Sequence, residues 1–297
     1  MSKQITGATS IFGVLGYPIQ HSLSPLIHNQ LASELNHDLV YVPFPVSPET
    51  LEKAIEGAWA LEIQGLNVTI PHKESVIPYL VHVDSFAMKM GAVNTLKRTA
   101  QGYEGYNTDG MGLLQSLTKH RITLKGKTMM ILGSGGAARA AAIMGASQGV
   151  RQIWIVNRTI EHAEKLLKDV KQFYSIEVEV CSWDQLKNIE NMPSIDLCIQ
   201  TTPIGMYPYA QMTPIDDPNF FSHIQTAVDL IYNPLETQFL SLAKQAGCNI
   251  INGLEMLVFQ GIKAYELWKE CTISLDLQEK VLKNMEQYFI SKDEMPR

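Results

Sequence analysis

The sequence predicts a chain of two α/β domains, and three observations support that expectation. The chain has 297 residues, which is more than one ordinary α/β domain needs and enough for two. Hydrophobic residues make up 45% and charged residues 18%, so there are enough apolar side chains for two cores. Beyond residue 110, short apolar runs alternate with helical stretches, which is typical of right-handed crossovers and a parallel sheet.

The first hundred or so residues alternate less regularly. A helix is expected over 26–35, and two short runs around 91–106 flank a hairpin-like turn at 99–102. The predicted strands, rich in Val, Ile and aromatic residues, are 11–16, 39–46 and 65–70. These elements predict an α/β unit that lacks a phosphate-binding loop.

A more regular pattern begins near residue 110. The apolar run TMMIL at 128–132 predicts a buried strand, and it ends in a glycine cluster followed by an Ala-rich helix. A helix with alternating charges is expected over 160–171, and the chain is predicted helical beyond Gly253, with a last helix over 276–289. The other predicted strands are 152–156, 176–180, 195–200, 226–231 and 249–251.

Charge and cysteine content exclude several classes of function. The formal net charge is −6 and the sequence pI is about 5.8, which argues against a nucleic-acid partner. The four cysteines form no CxxC pair and have no zinc-ligand spacing from histidine, so reduced thiols and no metal are expected. With no secretory signal and no bilayer-spanning apolar stretch in view, we expect a cytoplasmic enzyme with a small-molecule substrate and no membrane partner.

The strongest single motif is GSGGAAR, which directly follows a predicted strand and opens a helix. Small residues let the backbone turn tightly and approach a pyrophosphate, and the helix N-terminus offers unpaired N–H groups. The alternative is a glycine-rich turn without a ligand. The predicted cofactor-binding residues here are Gly133, Ser134, Gly135, Gly136 and Ala137.

The end of the next strand selects the cofactor. An NAD enzyme usually places an acid there against the ribose hydroxyl, but this chain has Asn157, Arg158 and Thr159. A guanidinium suits a 2′-phosphate, so NADP is favoured over NAD. The alternative is a solvated arginine at a strand end.

Polar clusters in the first hundred residues predict a site for a polyhydroxylated carboxylate, because hydroxyls and amides can bind an anion and several alcohols. Lys73 and Asp109 form a possible acid/base pair, with His72 as a weaker alternative base. The serines could instead cap the following helix, and Lys73 could be a surface lysine. The remaining candidates are Ser22, Ser24, Asn67, Thr69 and Asn94.

Taken together, these residues resemble the shikimate dehydrogenase family over nearly the whole chain. The motifs that carry the resemblance occur in one order along the sequence. They are HSLSP at 21–25, NVTIPHK at 67–73, GAVNT at 91–95, YNTDG at 106–110, GSGGAAR at 133–139, NRT at 157–159, TTPIGM at 201–206, DLIYNP at 229–234 and GLEMLVFQ at 253–260.

The resemblance implies a role for each matching residue. Lys73 would be the catalytic acid/base, with Asp109 as its partner. Ser22, Ser24 and Tyr232 would hold the substrate carboxylate. The ring hydroxyls would be contacted by Asn67, Thr69, Asn94 and Gln260. The nicotinamide half of the cofactor would lie along Thr202, Pro203, Met206, Ile231 and Gly253. Some members carry Met at the position of Ile231, a departure that we expect to be tolerated.

The resemblance also implies the domain order and the reaction. A substrate-binding domain, 1–109, would be completed by C-terminal helices, 253–297, with a Rossmann-type NADP-binding domain, 110–252, inserted between them. The expected activity is NADPH-dependent reduction of 3-dehydroshikimate to shikimate in aromatic amino-acid biosynthesis, by a monomer or homodimer. The alternatives are a quinate/shikimate dehydrogenase that uses NAD or both cofactors, and a non-catalytic NADP-binding regulator.

Overall fold

The computed structural model describes residues 4–186 and 192–293, so residues 1–3, 187–191 and 294–297 of the predicted domains lie outside the described part. The chain forms two compact units, Met1–Gly112 with Val258–Gln287, and Leu113–Leu257 with Tyr288–Arg297. Each contains one sheet, which confirms the predicted fold class of two α/β domains. Within the described ranges, no helix has the length and apolar character needed to cross a membrane.

The first unit contains a mixed six-stranded sheet in the order β2-β1-β3-β5-β6-β4. Its first three neighbours run parallel, and β5 pairs antiparallel with both β3 and β6. The strands are β1 Ser10–Gly16, β2 Leu39–Pro45, β3 Gly65–Val68, β4 His82–Val83, β5 Thr95–Arg98 and β6 Tyr103–Tyr106. The antiparallel pair β5–β6 is the predicted hairpin.

The C-terminal helices are α10 Gly253–Lys269 and α11 Leu275–Asp293, and their residues Val258–Gln287 belong to the first unit. Trp268 on α10 is buried and donates from Nε1 to the carbonyl oxygen of Leu96 at 2.8 Å. An added Cβ at Gly65 would lie 2.5 Å from that indole nitrogen, so a glycine is needed where the helix crosses the strand. The other helices that begin in this unit are α1 Ser24–Glu34, α2 Leu51–Ala60, α3 Ser85–Met90 and α4 Asp109–Lys119.

The second unit contains a six-stranded sheet that is parallel throughout, in the order β12-β11-β10-β7-β8-β9. The strands are β7 Thr128–Leu132, β8 Gln152–Asn157, β9 Glu177–Ser182, β10 Ile195–Gln200, β11 Ile224–Asp229 and β12 Asn249–Ile251. From β7 the chain winds one way to β9 and then the other way from β10. Ligands of open parallel sheets bind at the carboxyl ends of the strands at such a reversal point.

In the part of the chain that the structure describes, five helices connect these strands, and the sheet buries an apolar core. All five residues of β7 are buried, as expected for a central strand with both faces covered. The helices are α5 Gly136–Ser147, α6 Ile160–Phe173, α7 Trp183–Leu186, α8 Pro218–Phe221 and α9 Gln238–Gln245. The core includes Leu132, Val156, Phe221, Ala227 and Leu240.

Three strands have the bounds that the sequence predicts, namely β7, β10 and β12. The predicted strand 65–70 is shorter, because Thr69 and Ile70 already belong to the loop that carries Lys73. The helices α2, α3, α4, α7, α8 and α9 were not predicted. In α4 the glycines at 110 and 112 weaken the helical signal, although Asp109 in the first turn suits the helix dipole.

Candidate active site

The centre of the candidate site in the first unit is an ion pair between Lys73 and Asp109. Lys73 lies in the loop after β3, and Asp109 begins α4. The distance from Lys73 Nζ to Asp109 Oδ2 is 2.6 Å, and the two side chains remain 32% and 16% exposed. A partly exposed ammonium with a fixed anionic partner can donate a proton or a hydrogen bond to a bound oxygen atom.

Asn94 fixes the other oxygen of that carboxylate. Its Nδ2 donates to Asp109 Oδ1 at 2.8 Å and to Thr108 Oγ1 at 3.0 Å, while its Oδ1 accepts from Thr108 N at 2.8 Å. Asn94 Oδ1 also accepts from Thr95 Oγ1 at 2.9 Å. Because both amide hydrogens and the amide oxygen are engaged within the protein, Asn94 is placed to orient Asp109.

Asn67 lies beside this group and is held by a buried phenol. The Tyr41 hydroxyl donates to Asn67 Oδ1 at 2.7 Å, and Asn67 Nδ2 donates to Thr95 Oγ1 at 3.2 Å. Burial raises the pKa of Tyr41 well above its ordinary value, and a hydrogen bond with Ser24 partly opposes that rise. Tyr41 therefore stays neutral and serves as the donor that holds Asn67.

His72, the alternative base, is fully buried. Its Nε2 lies 2.7 Å from the carbonyl oxygen of Val46, which makes Nε2 the protonated nitrogen. That bond ties the loop bearing Lys73 to the end of β2. The geometry therefore gives His72 a supporting position and leaves Lys73 as the partly exposed basic group.

The remaining predicted substrate residues lie in both units. Ser22, Thr69 and Gln260 are half-buried in the first unit, where the Thr69 amide donates to the Leu15 carbonyl oxygen at 3.0 Å. Tyr232 belongs to the second unit, where its ring packs against Phe289 with a centroid distance of 6.0 Å. Burial raises the pKa of Tyr232, so its hydroxyl remains a neutral donor.

The glycine-rich loop lies at the reversal point of the second sheet. Gly133 has φ +113°, and an added Cβ would lie 2.6 Å from Thr201 Oγ1, so the protein itself requires glycine there. In contrast, a Cβ at Gly135 or Gly136 would meet no protein atom within 4 Å. Helix α5 begins behind these exposed residues with no side-chain cap, so its first N–H groups and open space fit a pyrophosphate.

The end of β8 presents a second place for an anion. Arg158 is exposed, and no carboxylate of the described residues pairs with its guanidinium. Asn157 Nδ2 donates to the Thr159 carbonyl oxygen at 2.8 Å, and helix α6 starts after Thr159 without a side-chain cap. A free guanidinium beside a helix N-terminus fits a phosphate group, although Glu161 in the first turn opposes it.

The predicted nicotinamide residues lie on loops after β10 and β11 and at the start of α10. Thr202 and Pro203 follow β10, and Ile231 follows β11. The Gly253 amide donates to the Ile231 carbonyl oxygen at 3.0 Å. An added Cβ at Gly253 would overlap the Leu230 carbonyl group, so only glycine fits this approach. Met206, farther along the first loop, is 48% exposed.

Known proteins resemble this chain in both of its units. The family profile described as "Shikimate dehydrogenase substrate binding domain" matches residues 14–96, and the profile "Shikimate / quinate 5-dehydrogenase" matches residues 116–203. A shikimate dehydrogenase (NADP(+)) of Methanosphaera stadtmanae is 43% identical, over 94% of this chain and 98% of the relative. The chain belongs to the shikimate dehydrogenase family.

Solved structures of the same family have the same fold. A shikimate dehydrogenase in complex with NADP+ is 38% identical, has a TM-score of 0.87, and is matched over 95% of this chain and 97% of its own. The Listeria monocytogenes shikimate 5-dehydrogenase, in complex with shikimate and NAD, is 31% identical with a TM-score of 0.89. The match covers 95% of this chain and 99% of that one.

Several supporting residues of the site escaped the sequence analysis. Tyr41 sits mid-strand in an apolar run, and nothing local distinguishes its hydroxyl from that of an ordinary core tyrosine. Gln200 and Asp229, buried at the ends of β10 and β11, were assigned no role. Gln200 directly precedes the motif TTPIGM, and Asp229 is the first residue of DLIYNP, so these positions at strand ends could have identified them.

Proposed function

We propose that this protein is an NADP-dependent oxidoreductase that reduces the ketone of 3-dehydroshikimate to shikimate, a step of aromatic amino-acid biosynthesis. The single observation that carries the proposal is the ion pair of Lys73 and Asp109, held by Asn94. Membership in the shikimate dehydrogenase family supports the choice of substrate.

In the proposed reaction, NADPH held by residues 133–137 and 157–159 would provide the hydride that reduces the substrate carbonyl carbon. Lys73 Nζ donates a hydrogen bond to the carbonyl oxygen and then a proton to the alkoxide that forms there. Asp109 holds the ammonium group in position by accepting its hydrogen bond, while Asn94 holds Asp109 in place. In the oxidative direction, Lys73 takes the same proton back.

The rest of the site would recognise the substrate through neutral donors and acceptors. The hydroxyls of Ser22, Ser24 and Tyr232 would bind its carboxylate, and Asn67, Thr69 and Gln260 would contact ring hydroxyls. Asn67 is held in place for such a contact by the hydrogen bond from Tyr41 to its Oδ1. A ligand that lacks a matching hydroxyl would leave one of these polar groups without a hydrogen bond. That cost lowers its affinity and makes the site specific.

The cofactor would lie across the reversal point of the second sheet. Residues 133–137 would hold the pyrophosphate, and Asn157, Arg158 and Thr159 the 2′-phosphate of the adenosine. The unpaired guanidinium of Arg158, with no acid at the end of β8, supports NADP over NAD. We place the activity in the cytoplasm. For the oligomeric state, a monomer or homodimer stays a prediction.

The test is absorbance at the nicotinamide band with purified protein, shikimate or quinate, and NADP+ or NAD+ in parallel. The proposal requires rapid reduction of NADP+ with shikimate and little with quinate or NAD+. Comparable rates with quinate or NAD+ would assign the chain to the broader-specificity alternative, which the "Shikimate / quinate" profile favours. NADP+ binding without turnover of either acid would favour a non-catalytic regulator.

A further inference from the structure

Two fully buried polar residues end the adjacent strands β10 and β11 of the second sheet, whose strand order reverses between β10 and β7. Gln200 is the last residue of β10, Asp229 is the last residue of β11, and the two are direct register partners. The Leu230 amide donates to the Gln200 carbonyl oxygen at 3.0 Å. Buried polar groups at matched strand ends need partners, and both side chains find them in the loops that follow.

The side-chain amide of Gln200 hydrogen-bonds to the backbone of the loop after β10. Its Nε2 donates to the carbonyl oxygens of Thr202 and Ile204 at 3.0 and 3.1 Å, and its Oε1 accepts from Thr202 N at 2.6 Å. Three hydrogen bonds from one buried side chain fix the backbone at 202–204. This is the segment that carries the predicted nicotinamide contacts Thr202 and Pro203.

Asp229 does the same for the loop after β11. Its Oδ1 accepts from Ile231 N at 3.0 Å, and its Oδ2 accepts from Thr237 Oγ1 at 2.6 Å. Thr237 in turn caps helix α9 by accepting from Leu240 N at 3.3 Å. One carboxylate therefore joins both ends of the turn that contains Ile231 and Tyr232.

The two loops are also joined to each other. The Tyr207 amide donates to the Asn233 carbonyl oxygen at 3.2 Å. An added Cβ at Gly205 would lie 3.9 Å from Ile231 Cδ1, which shows how closely the loops approach. These contacts hold the two loops beside each other.

We propose that Gln200 and Asp229 are positioning residues for hydride transfer, which fix the two loops that face the nicotinamide half of the cofactor. This inference rests on the proposed function. Neither side chain touches a reacting atom, and each acts through backbone that it holds. A misplacement of about 1 Å at a hydride-transfer site can lower the rate roughly 100-fold, so loop positions matter for the chemistry. The adenosine half, over β7 and β8, is held by different residues.

The experiment compares Thr237→Val with Thr128→Val. Both threonines are 1% exposed, and both lose a buried hydroxyl that hydrogen-bonds to a charged side chain. Thr128 lies at the opposite, amino-terminal end of the sheet and serves as the matched control. Gln200→Leu is the second variant, and the pair Asp229→Ala and Asp229→Asn tests rescue, because Asn can still accept from Ile231 N.

Four quantities are measured for each variant. They are kcat for shikimate oxidation, the isotope effect with shikimate deuterated at C3, and the dissociation constants of NADP+ and of 2′,5′-ADP. Thr237→Val, Gln200→Leu and Asp229→Ala are expected to lower kcat roughly 10- to 100-fold and to raise the isotope effect, because hydride transfer becomes slower. The same variants should bind NADP+ more weakly than wild type. Their affinity for 2′,5′-ADP should stay within about twofold, since that fragment lacks the nicotinamide.

The control Thr128→Val should change kcat less than about threefold, and Asp229→Asn should recover most of the turnover lost in Asp229→Ala. The inference fails if Thr237→Val and Gln200→Leu lower kcat no more than Thr128→Val does. It also fails if the affinity for 2′,5′-ADP falls as much as the affinity for NADP+. Wild-type protein that binds NADP+ but does not oxidise shikimate would refute the proposed function alone. The two binding constants would still decide whether the loops are positioned as inferred.

Discussion

In the first unit the candidate substrate site consists of side chains that hydrogen-bond to one another, whereas in the second unit the candidate cofactor site consists of backbone and small residues. Lys73, Asp109 and Asn94 form a chain of contacts between 2.6 and 2.8 Å. The loop at Gly133–Gly136 offers N–H groups and open space instead. Substitutions in the first site should therefore lower kcat, and substitutions in the second should lower the affinity for the cofactor.

The two units also hold a carboxylate differently. Asp109 has a cationic partner in Lys73, whereas the partners of Asp229 among the described residues are a hydroxyl and a backbone amide. Burial without a cation raises the pKa of Asp229 to about 7, even though both hydrogen bonds oppose the rise. Charge pairing thus occurs at the site proposed to transfer a proton, and neutral donors surround the carboxylate proposed to hold a loop.

The largest expected effect separates Lys73 from an ordinary paired lysine. Lys73→Ala should lower kcat by about 10²- to 10⁴-fold, because the proton donor is lost, with NADPH affinity within about twofold of wild type. Steady-state kinetics and fluorescence titration of NADPH measure the two quantities.

Lys97→Ala is the matched control, since Lys97 pairs with Glu270 at 2.7 Å in the same unit but has no predicted role in the reaction. Its kcat should stay within about twofold of wild type, as expected for an exposed ion pair. Equal turnover in the two variants would exclude Lys73 as the acid/base.

The second effect is a pH dependence of stability that comes from Asp229. Its pKa is raised in the folded protein to about 7 from an ordinary value near 3.8. Its contribution to stability is therefore present below pH 4 and is lost as the pH rises to 7. The rise in pKa corresponds to roughly 4 kcal/mol at most. Asp229→Asn lacks this titration, so between pH 4 and 8 its free energy of unfolding should improve relative to wild type. Urea unfolding of both proteins across that range measures the difference, and a pH-independent difference would contradict the burial argument.

The third effect tests whether Asn94 acts through Asp109. Asn94→Ala frees Asp109 Oδ1 and should lower kcat about 10- to 100-fold, because the carboxylate no longer fixes the ammonium. Asn94→Asp can still accept from the Thr108 amide but cannot donate to Asp109, so it should be at least as impaired. A rise in KM for shikimate with unchanged kcat would instead indicate direct contact with the substrate.

These contrasts explain what could be predicted from the sequence. The motif GSGGAAR and the strand TMMIL are contiguous, so local spacing sufficed to predict both the turn and the parallel sheet. Lys73 and Asp109 lie 36 residues apart, and residue types could only suggest that they meet. The support from Tyr41 and the return of Trp268 to the first sheet depend on long-range packing, which leaves no local pattern in the chain.

The fourth effect concerns the choice of cofactor. Arg158→Gln should raise KM for NADP+ about 10- to 30-fold, the value of one charge-assisted hydrogen bond, and leave KM for NAD+ nearly unchanged. Arg151→Gln is the control, because Arg151 precedes β8 at its other end while Arg158 follows it. Parallel losses for both cofactors, or the same loss in the control, would mean that Arg158 is a solvated arginine.

The smallest expected effect separates two glycines of one loop. At Gly135, with φ −78°, an added methyl group meets no protein atom, so Gly135→Ala should leave the free energy of unfolding within about 0.5 kcal/mol of wild type. Its methyl group would instead occupy space proposed for the pyrophosphate, and NADP+ should bind about 5- to 10-fold more weakly, as when an approach to the backbone is blocked. Gly133→Ala forces a side chain into φ +113° against the Thr201 hydroxyl, and should cost about 1–3 kcal/mol of stability. Thermal unfolding with and without NADP+ distinguishes the two. If Gly135→Ala bound NADP+ as tightly as wild type, the open space at this loop would not be the pyrophosphate site. The cofactor would then not be recognised by the backbone of this loop.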